Sequence, residues 1–415
     1  MEKSSQSSPG LVPFPALYQK DFRYLWLGQA ISFSGTWMHS TAQGWLIYSL
    51  THSPLYLGVV AAFSSMPVLF FSLLGGVAAD RFRKRNLIMA TQALSMLPAI
   101  AIGVLTQLGI ITVWEVIPLV FFLGMVNSFD VPARQSYFAE IVEKDNLVGA
   151  IALNSAAVNG ARIIGPVLAG MVIAYAGLPA CFYLNAASFL AVILALARIR
   201  AKSAVVPREH ESIKKDLLEG MSFVRQNPFI FAVFIIIGAF SLFAIPFINL
   251  LPVFAVEVFK RGPKGLGFLA GATGLGAFTG AVTLAYKGGT GRVGRARRMR
   301  IGAVLLPIAL IAFSESRNFY LSMAILAVAG WSLISFLSLA NSSVQLAVSD
   351  ALRGRVMSVY TIVFLGFAPI GNLILGAASD MAGTTRALAA SSSVCLAIVL
   401  AFSHRLHARY EGAAA

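Results

Sequence analysis

Charge is scarce in this chain. Charged residues fill only 12% of its 415 positions, where an ordinary soluble domain carries about a quarter. Acidic residues are scarcer still, 17 against 32 basic ones, for a net charge of +15. There are two cysteines, Cys181 and Cys395, both inside apolar runs. Their placement excludes a disulfide framework or a thiolate metal site and leaves the redox compartment open. No Ser/His/Asp or metal-ligand cluster stands out, and no phosphate-binding G-K-[ST] motif occurs. The first 20 residues are polar and Pro/Ser-rich with no apolar core, so they do not form a cleavable secretory signal. These shortages exclude a disordered chain and a soluble enzyme of this length. A basic balance would indicate nucleic acid only if the charges shared one solvated face.

Apolar residues, at 58%, are present in excess. They gather in twelve runs, at about 25–49, 54–79, 86–109, 113–133, 147–176, 179–198, 229–257, 265–287, 301–315, 319–346, 356–379 and 384–403. A run of roughly 20 residues spans the hydrocarbon of a bilayer. The expected fold is therefore an all-α integral membrane protein of twelve transmembrane helices. With the N-terminus inside the cell, 26 of the 32 basic residues fall in inner segments. Five, Lys260, Arg261, Lys264, Arg317 and Arg386, fall in outer ones, and Arg162 lies within a span. That asymmetry is the positive-inside bias of a multi-pass plasma (inner) membrane protein with both termini cytoplasmic. It accounts for the net charge without nucleic acid, and no second chain is required, so the expected state is a monomer.

The chain divides into an N-terminal tail (1–24), a six-span half (25–198), a linker (199–228), a second six-span half (229–403) and a C-terminal tail (404–415). The stretch 209–226 of the linker reads as a short amphipathic helix with Leu217, Leu218, Met221 and Val224 on its apolar face. The halves repeat. Asp145-Asn146-Leu147-Val148-Gly149 returns as Asp350-Ala351-Leu352-Arg353-Gly354, and Gly160, Gly165 and Gly170 return as Gly366, Gly371 and Gly376. Two pseudo-symmetric six-span halves form a transporter architecture, with the site between them near mid-membrane. Gly289-Thr-Gly291-Arg-Val-Gly294 fits G-x-G-x-x-G, but it follows a membrane span rather than a strand, so it is expected to be a flexible basic loop and not a nucleotide site.

The turn after span 2 reads Gly76-Val-Ala-Ala-Asp80-Arg81-Phe82-Arg83-Lys84-Arg85. It resembles the loop 2–3 signature of the major facilitator superfamily, G-x-x-x-D-R-x-G-R-R/K, with Arg83 in place of the usual glycine. Span 5 carries Arg162, then Gly165-Pro166 and Gly170, which resembles that superfamily's antiporter motif with Ala169 replacing one glycine. Asn127-Ser-Phe-Asp130-Val-Pro-Ala-Arg134 at the end of span 4, and Arg353-Gly-Arg-Val-Met-Ser358 with Gly366-Phe-Ala-Pro369-Ile-Gly371 in span 11, resemble the exporter branch of siderophore and macrolide efflux proteins. The resemblance covers essentially the whole chain. It implies that Gly76, Asp80, Arg81, Lys84 and Arg85 form a gate. Asp80 would latch to the start of span 11 near Gly354 and to Arg134 when the inner side is shut.

The remaining candidates follow from position and spacing. Arg162 lies mid-span, where an arginine must face a partner or water. It contacts a substrate anion, joins a coupling relay, or clamps a buried carboxylate. Asp130 is the deepest carboxylate and carries a proton or pairs with Arg134 or Arg162. Gln29, Ser32, Thr36, His39 and Gln43 in span 1 recur every three or four residues, as do Trp331, Ser335, Ser338, Asn341 and Gln345 in span 10. Each stripe lines the central cavity or bonds neighbouring helices. His39 titrates during transport or is a core histidine. Gly165, Pro166, Gly170 and Gly371 permit close helix packing. The expected function is export of drug- or siderophore-like amphiphilic small molecules by alternating access, with a proton gradient as the driving force and no cofactor. An uncoupled lipid or lysolipid translocator and an uptake symporter are the alternatives.

Overall fold

The computed structural model describes residues 15–143, 146–199, 213–287 and 292–406. Residues 1–14 and 407–415 of the tails, Lys144, Asp145, the linker stretch 200–212 and the segment 288–291 of the glycine-rich loop lie outside it. The described residues are helical almost throughout. In order the helices are α1 (Lys20–Thr51), α2 (Pro54–Arg81), α3 (Lys84–Gln107), α4 (Val113–Ile141), α5 (Leu147–Ala176), α6 (Leu178–Arg198), α7 (Ile213–Gln226), α8 (Pro228–Ala239), α9 (Phe247–Val253), α10 (Gly262–Lys287), α11 (Arg292–Glu315), α12 (Phe319–Ala347), α13 (Asp350–Gly366), α14 (Ala368–Ala382) and α15 (Thr384–Ser403).

Local sequence sets the ends. Pro54 opens α2, where its missing N–H costs nothing. Thr112 and Glu115 form a capping box on α4. Asn227 and Asn318 accept the first free amides of α8 and α12. Gly177 (φ +83°) turns α5 into α6 and Gly383 (φ +86°) turns α14 into α15. Both need the left-handed backbone that glycine adopts without strain.

α8 and α9 make one rod with the π-helical turns Phe240–Ala244 and Phe254–Val258, and α13 and α14 make another. Pro246 and Pro252 interrupt the first, Phe367 and Pro369 the second. Among the described residues, ten stretches are long and apolar enough to cross a membrane. α1 and α11 fall short of that standard. α1 is diluted by its polar residues, and Arg292, Arg295, Arg297, Arg298 and Arg300 take the first turns of α11. α11 starts at Arg292, so the second half of Gly289–Gly294 is helix rather than loop.

The packing is symmetric between the two groups of rods. α2 lies on α4 as α10 lies on α12, and α3 on α6 as α11 on α15. Across the groups, α5 packs on α10 and α2 on α14. The repeated glycines make these equivalent contacts. Gly165 lies against Trp37 and Ser34 of α1, and Gly371 against Ser241 and Leu242 of the α8–α9 rod. A Cβ on Gly170 would stand 3.3 Å from Gly267 Cα, and one on Gly376 would stand 3.1 Å from Gly58 Cα. These inter-group contacts all lie away from the Arg81–Lys84 turn. Toward that turn, a Cβ added to Gly76, Gly149 or Gly354 would meet nothing within 4 Å, nor would one on Gly160 midway along α5. The backbone contacts of Gly170 and Gly376 between the two groups lie toward the face away from the basic turn.

α7 is held to α13. Glu219 pairs with Arg355, and Gly220 lies against the Arg355 carbonyl, where a Cβ would approach to 2.7 Å. Val224 is buried, but Leu218 is 61% exposed. Leu218 therefore leaves the expected apolar face, because the α13 backbone meets α7 at Gly220 and turns it outward. Leu217 lies outside the residues whose side chains are described. Gly220→Leu should detach α7, visible as a new trypsin cut between Arg225 and Pro228 under conditions where the parent resists.

Candidate functional site

A cavity of about 230 Å³ lies where α1, α5, α9, α10 and α12 converge. Its walls are mainly apolar: Ile245, Ile248, Leu251 and Pro252 from the interrupted rod, Leu333, Ile334 and Leu337 from α12. α1 contributes Trp37, Ser40, Thr41 and Gly44, and α5 contributes Arg162 and Pro166. Two glycines build this corner. Gly165 brings α5 onto Trp37, and Gly274 brings α10 to the Arg162 carbonyl, 2.5 Å from where a Cβ would sit. The π turns on either side of α9 aim Asn249 inward, where its amide donates to Asn372 Oδ1 at 2.9 Å. A smaller, polar pocket of about 170 Å³ shares Ser40, Gly44 and Asn249 with the cavity and adds Gln43, Ser64 and Asn372.

Arg162 stands apart electrostatically. Its guanidinium lies over the Trp37 ring, 5.1 Å from the centroid. Its Nε is buried without a hydrogen-bond partner. Among the described residues no carboxylate pairs with it. Among the described residues the carboxylate clamp is therefore not made, and the buried acid of span 4 is committed elsewhere.

That acid is Asp130, 2% exposed. One oxygen accepts from Thr91 at 2.7 Å and from Gln92 at 2.9 Å, and the other takes both a 3.0 Å bond from Arg134 Nε and a short bond from Arg134 Nη2. Arg134 also lies over Phe33, 5.2 Å from the ring centroid. Its remaining nitrogen, Nη1, is buried without a partner. Both hydrogen bonds of Arg134 thus go to Asp130, not to Asp80. The turn itself is tied down by other means. Lys84 pairs with Glu140 at 2.5 Å, and Arg85 donates to the last carbonyls of α6, Leu196 at 2.8 Å and Ala197 at 3.2 Å. Arg81 is exposed. Glu140 falls in the connection expected after span 4 (113–133), so nothing in the sequence marked it.

The polar stripes sit differently from expectation. Gln29, Ser32 and His39 are buried within the helix packing, and none of them lines the cavity. His39 lies edge-on to Phe182, with ring centroids 5.0 Å apart. Gln43 reaches the smaller pocket, and Thr36 is exposed. In α12, Ser335 is buried against Gly280. Trp331 donates to Thr283, Gln345 bonds Asn341, and Ser338 is half-buried. The cavity instead uses the adjoining seams, Trp37, Ser40, Thr41 and Gly44 on α1 and Gly330, Leu333, Ile334 and Leu337 on α12. The physical reason is packing: small polar side chains let helices close on each other, and that closure removes them from the cavity.

Comparison with known proteins agrees with this architecture. Residues 11–414 match the family described as transmembrane secretion effector. The staphyloferrin A transporter of Staphylococcus aureus is 23% identical over 92% of this chain and 96% of its own. The multidrug efflux pump Tap of Mycolicibacterium fortuitum is 26% identical over 87% and 90%. The enterobactin exporter EntS of Escherichia coli is 26% identical over 91% and 89%. In three dimensions the nucleoside transporter NupG superposes with a TM-score of 0.70 at 15% identity, over 94% of this chain and 100% of that one. An inward-facing bacterial homologue of the human lysosomal transporter Spinster superposes at 0.72, with 13% identity over 93% and 97%. A helical membrane bundle, a cavity between its halves and a match over nearly the full length make this chain a member of the transmembrane secretion effector family of the major facilitator superfamily, a membrane transporter and not an enzyme.

Proposed function

We propose that the protein exports amphiphilic small molecules, siderophore- or drug-like, from the cytoplasm by alternating access, with protons moving the other way. The observation that carries the reading is the uneven packing of the two groups of rods. Gly170 and Gly376 join them by close backbone contact away from the Arg81–Lys84 turn, while a Cβ on Gly76, Gly149 or Gly354, on the side of that turn, would meet nothing within 4 Å. A bundle whose halves meet through small residues near one face can rock about that contact into a second arrangement closed at the other. The expected placement of the basic face in the cytoplasm makes the present arrangement open to the inside.

The closing step has a candidate in Arg134. Here it holds Asp130, with one nitrogen to spare. Protonation of Asp130 would remove that attraction and free Arg134 to turn toward Asp80, latching the basic face. A proton then biases a two-state equilibrium through its differential interaction with the two states. The names of the relatives support the cargo class. The test is efflux from proteoliposomes against a panel of siderophores, macrolides and lipophilic dyes, with and without a proton gradient. Gradient-dependent efflux of at least one panel member is expected, and Asp130→Asn should reduce it to the uncoupled rate. Movement unchanged on collapsing the gradient would overturn proton coupling. Movement of lipid probes alone would overturn the cargo class.

A further inference from the structure

We propose that the cavity is a two-part receptor for an organic anion, a reading that rests on the transporter function above and narrows its cargo. The anionic group would pair with Arg162, the apolar body would lie on Trp37 and the α9 and α12 walls, and neutral hydrogen-bonding groups would reach into the adjoining polar pocket.

Three independent features converge on this. First, no acidic residue lines the cavity or its annex, so the site carries one uncompensated positive charge. An arginine at membrane depth is costly unless something neutralises or solvates it, and among the described residues only the face of Trp37 is supplied. That contact leaves the in-plane donors of the guanidinium for another partner, and Nε is buried and unused. A planar carboxylate or a phosphonate fits such a fork in two parallel hydrogen bonds. Second, the charge sits at the edge of an otherwise apolar chamber, so a ligand must carry a substantial apolar body beside its anionic end. A small inorganic anion would leave that surface empty. Third, the annex offers Gln43, Ser64, Asn249 and Asn372, groups that recognise hydroxyls and amides but bring no charge. Ser40 and Gly44 belong to both chambers, so one molecule can occupy the two at once. Lipophilic cations, a common efflux cargo, are disfavoured here by the same charge.

The test uses the purified full-length protein and two probes of one shape, 6-hydroxy-2-naphthoate and its neutral amide, 6-hydroxy-2-naphthamide. Binding is read by calorimetry, and each variant's unfolding midpoint without probe reports on folding. The parent protein should bind the anion about tenfold to a hundredfold more tightly than the amide, the discrimination of one or two hydrogen bonds to a charged partner. Arg162→Gln should bring the two affinities together while still binding the amide, and Arg162→Lys should keep part of the preference. Gln43→Ala should weaken both probes alike. Equal affinities in the parent, no binding of either probe, or a preference that survives Arg162→Gln in a folded variant would overturn the proposal. Gradient-driven efflux of neutral or cationic compounds by a protein with no anion preference would overturn it and leave the exporter reading standing. Anion preference without gradient-driven efflux would do the reverse.

Discussion

Alanine at Gly276 or Gly330 should abolish recovery of folded protein. α10 and α12 touch backbone to backbone here. A Cβ on Gly276 would lie 1.8 Å from the Ala327 carbonyl oxygen, and one on Gly330 would lie 2.0 Å from that of Thr273. Neither obstacle is a side chain that can turn away, so the helices would have to separate along their length. Ordinary overpacking costs about 1–3 kcal/mol, and a clash between two backbones should cost about 3 kcal/mol or more, a large part of the stability of an ordinary domain. The measurement is the yield of monodisperse protein after detergent extraction, expected to fall at least about tenfold. Gly149→Ala is the control. It meets nothing within 4 Å, and alanine in a helix is favoured over glycine by about 1 kcal/mol, so its yield should match or exceed the parent's.

Removing the Asp130 carboxylate should have the second largest effect. Asp130→Ala leaves Arg134 inside the bundle, its side chain 15% exposed, with neither of its present hydrogen bonds. Breaking one side of a buried ion pair costs about 3–5 kcal/mol, because the remaining charge loses its compensation. The same principle predicts rescue. Asp130→Ala with Arg134→Met removes both charges, and methionine can still fill the space beside Phe33. Thermal unfolding in detergent should show a large drop in midpoint for the single variant and recovery of most of it in the double. A single variant as stable as the parent would show that the pair is hydrated and carries little energy. Asp130→Asn answers a different question, since the amide keeps an acceptor for Thr91 while losing the charge that coupling requires.

The helices were largely legible in the sequence because hydropathy and charge asymmetry constrain the same boundaries twice. The runs at 147–176 and 384–403 coincide with α5 and α15. The offset between Gly165 and Gly371 marked equivalent contacts before either partner was known. The site was less legible. Spacing of three and four identifies a helix face that must avoid lipid, but a packed seam and a cavity wall satisfy that requirement equally. On α1 the two lie side by side: Ser32 and His39 are sealed against neighbouring helices, while Trp37, Ser40 and Gly44 face open space. Only the position of α6 and α10 distinguishes them, and a single helix pattern holds no information about its neighbours. Arg162 was found because charge at membrane depth is rare whatever surrounds it. The π turns around α9 left only Pro246 and Pro252 as traces.

The attachment of α7 bears on how the two halves are strung together. The connection between them was drawn as a stretch running up to Pro228, but Glu219, Gly220 and Val224 are already fixed to the second half. The connection between the halves is therefore anchored earlier in the chain than the hydropathy profile suggests, and that anchor lies on α13, whose first turns carry Gly354. A pull transmitted along the tether would act on α13 directly and not on the far end of the bundle. If the halves rock as proposed, a pull from the preceding chain would bear on α13 first, and its reach would limit how far the basic face parts.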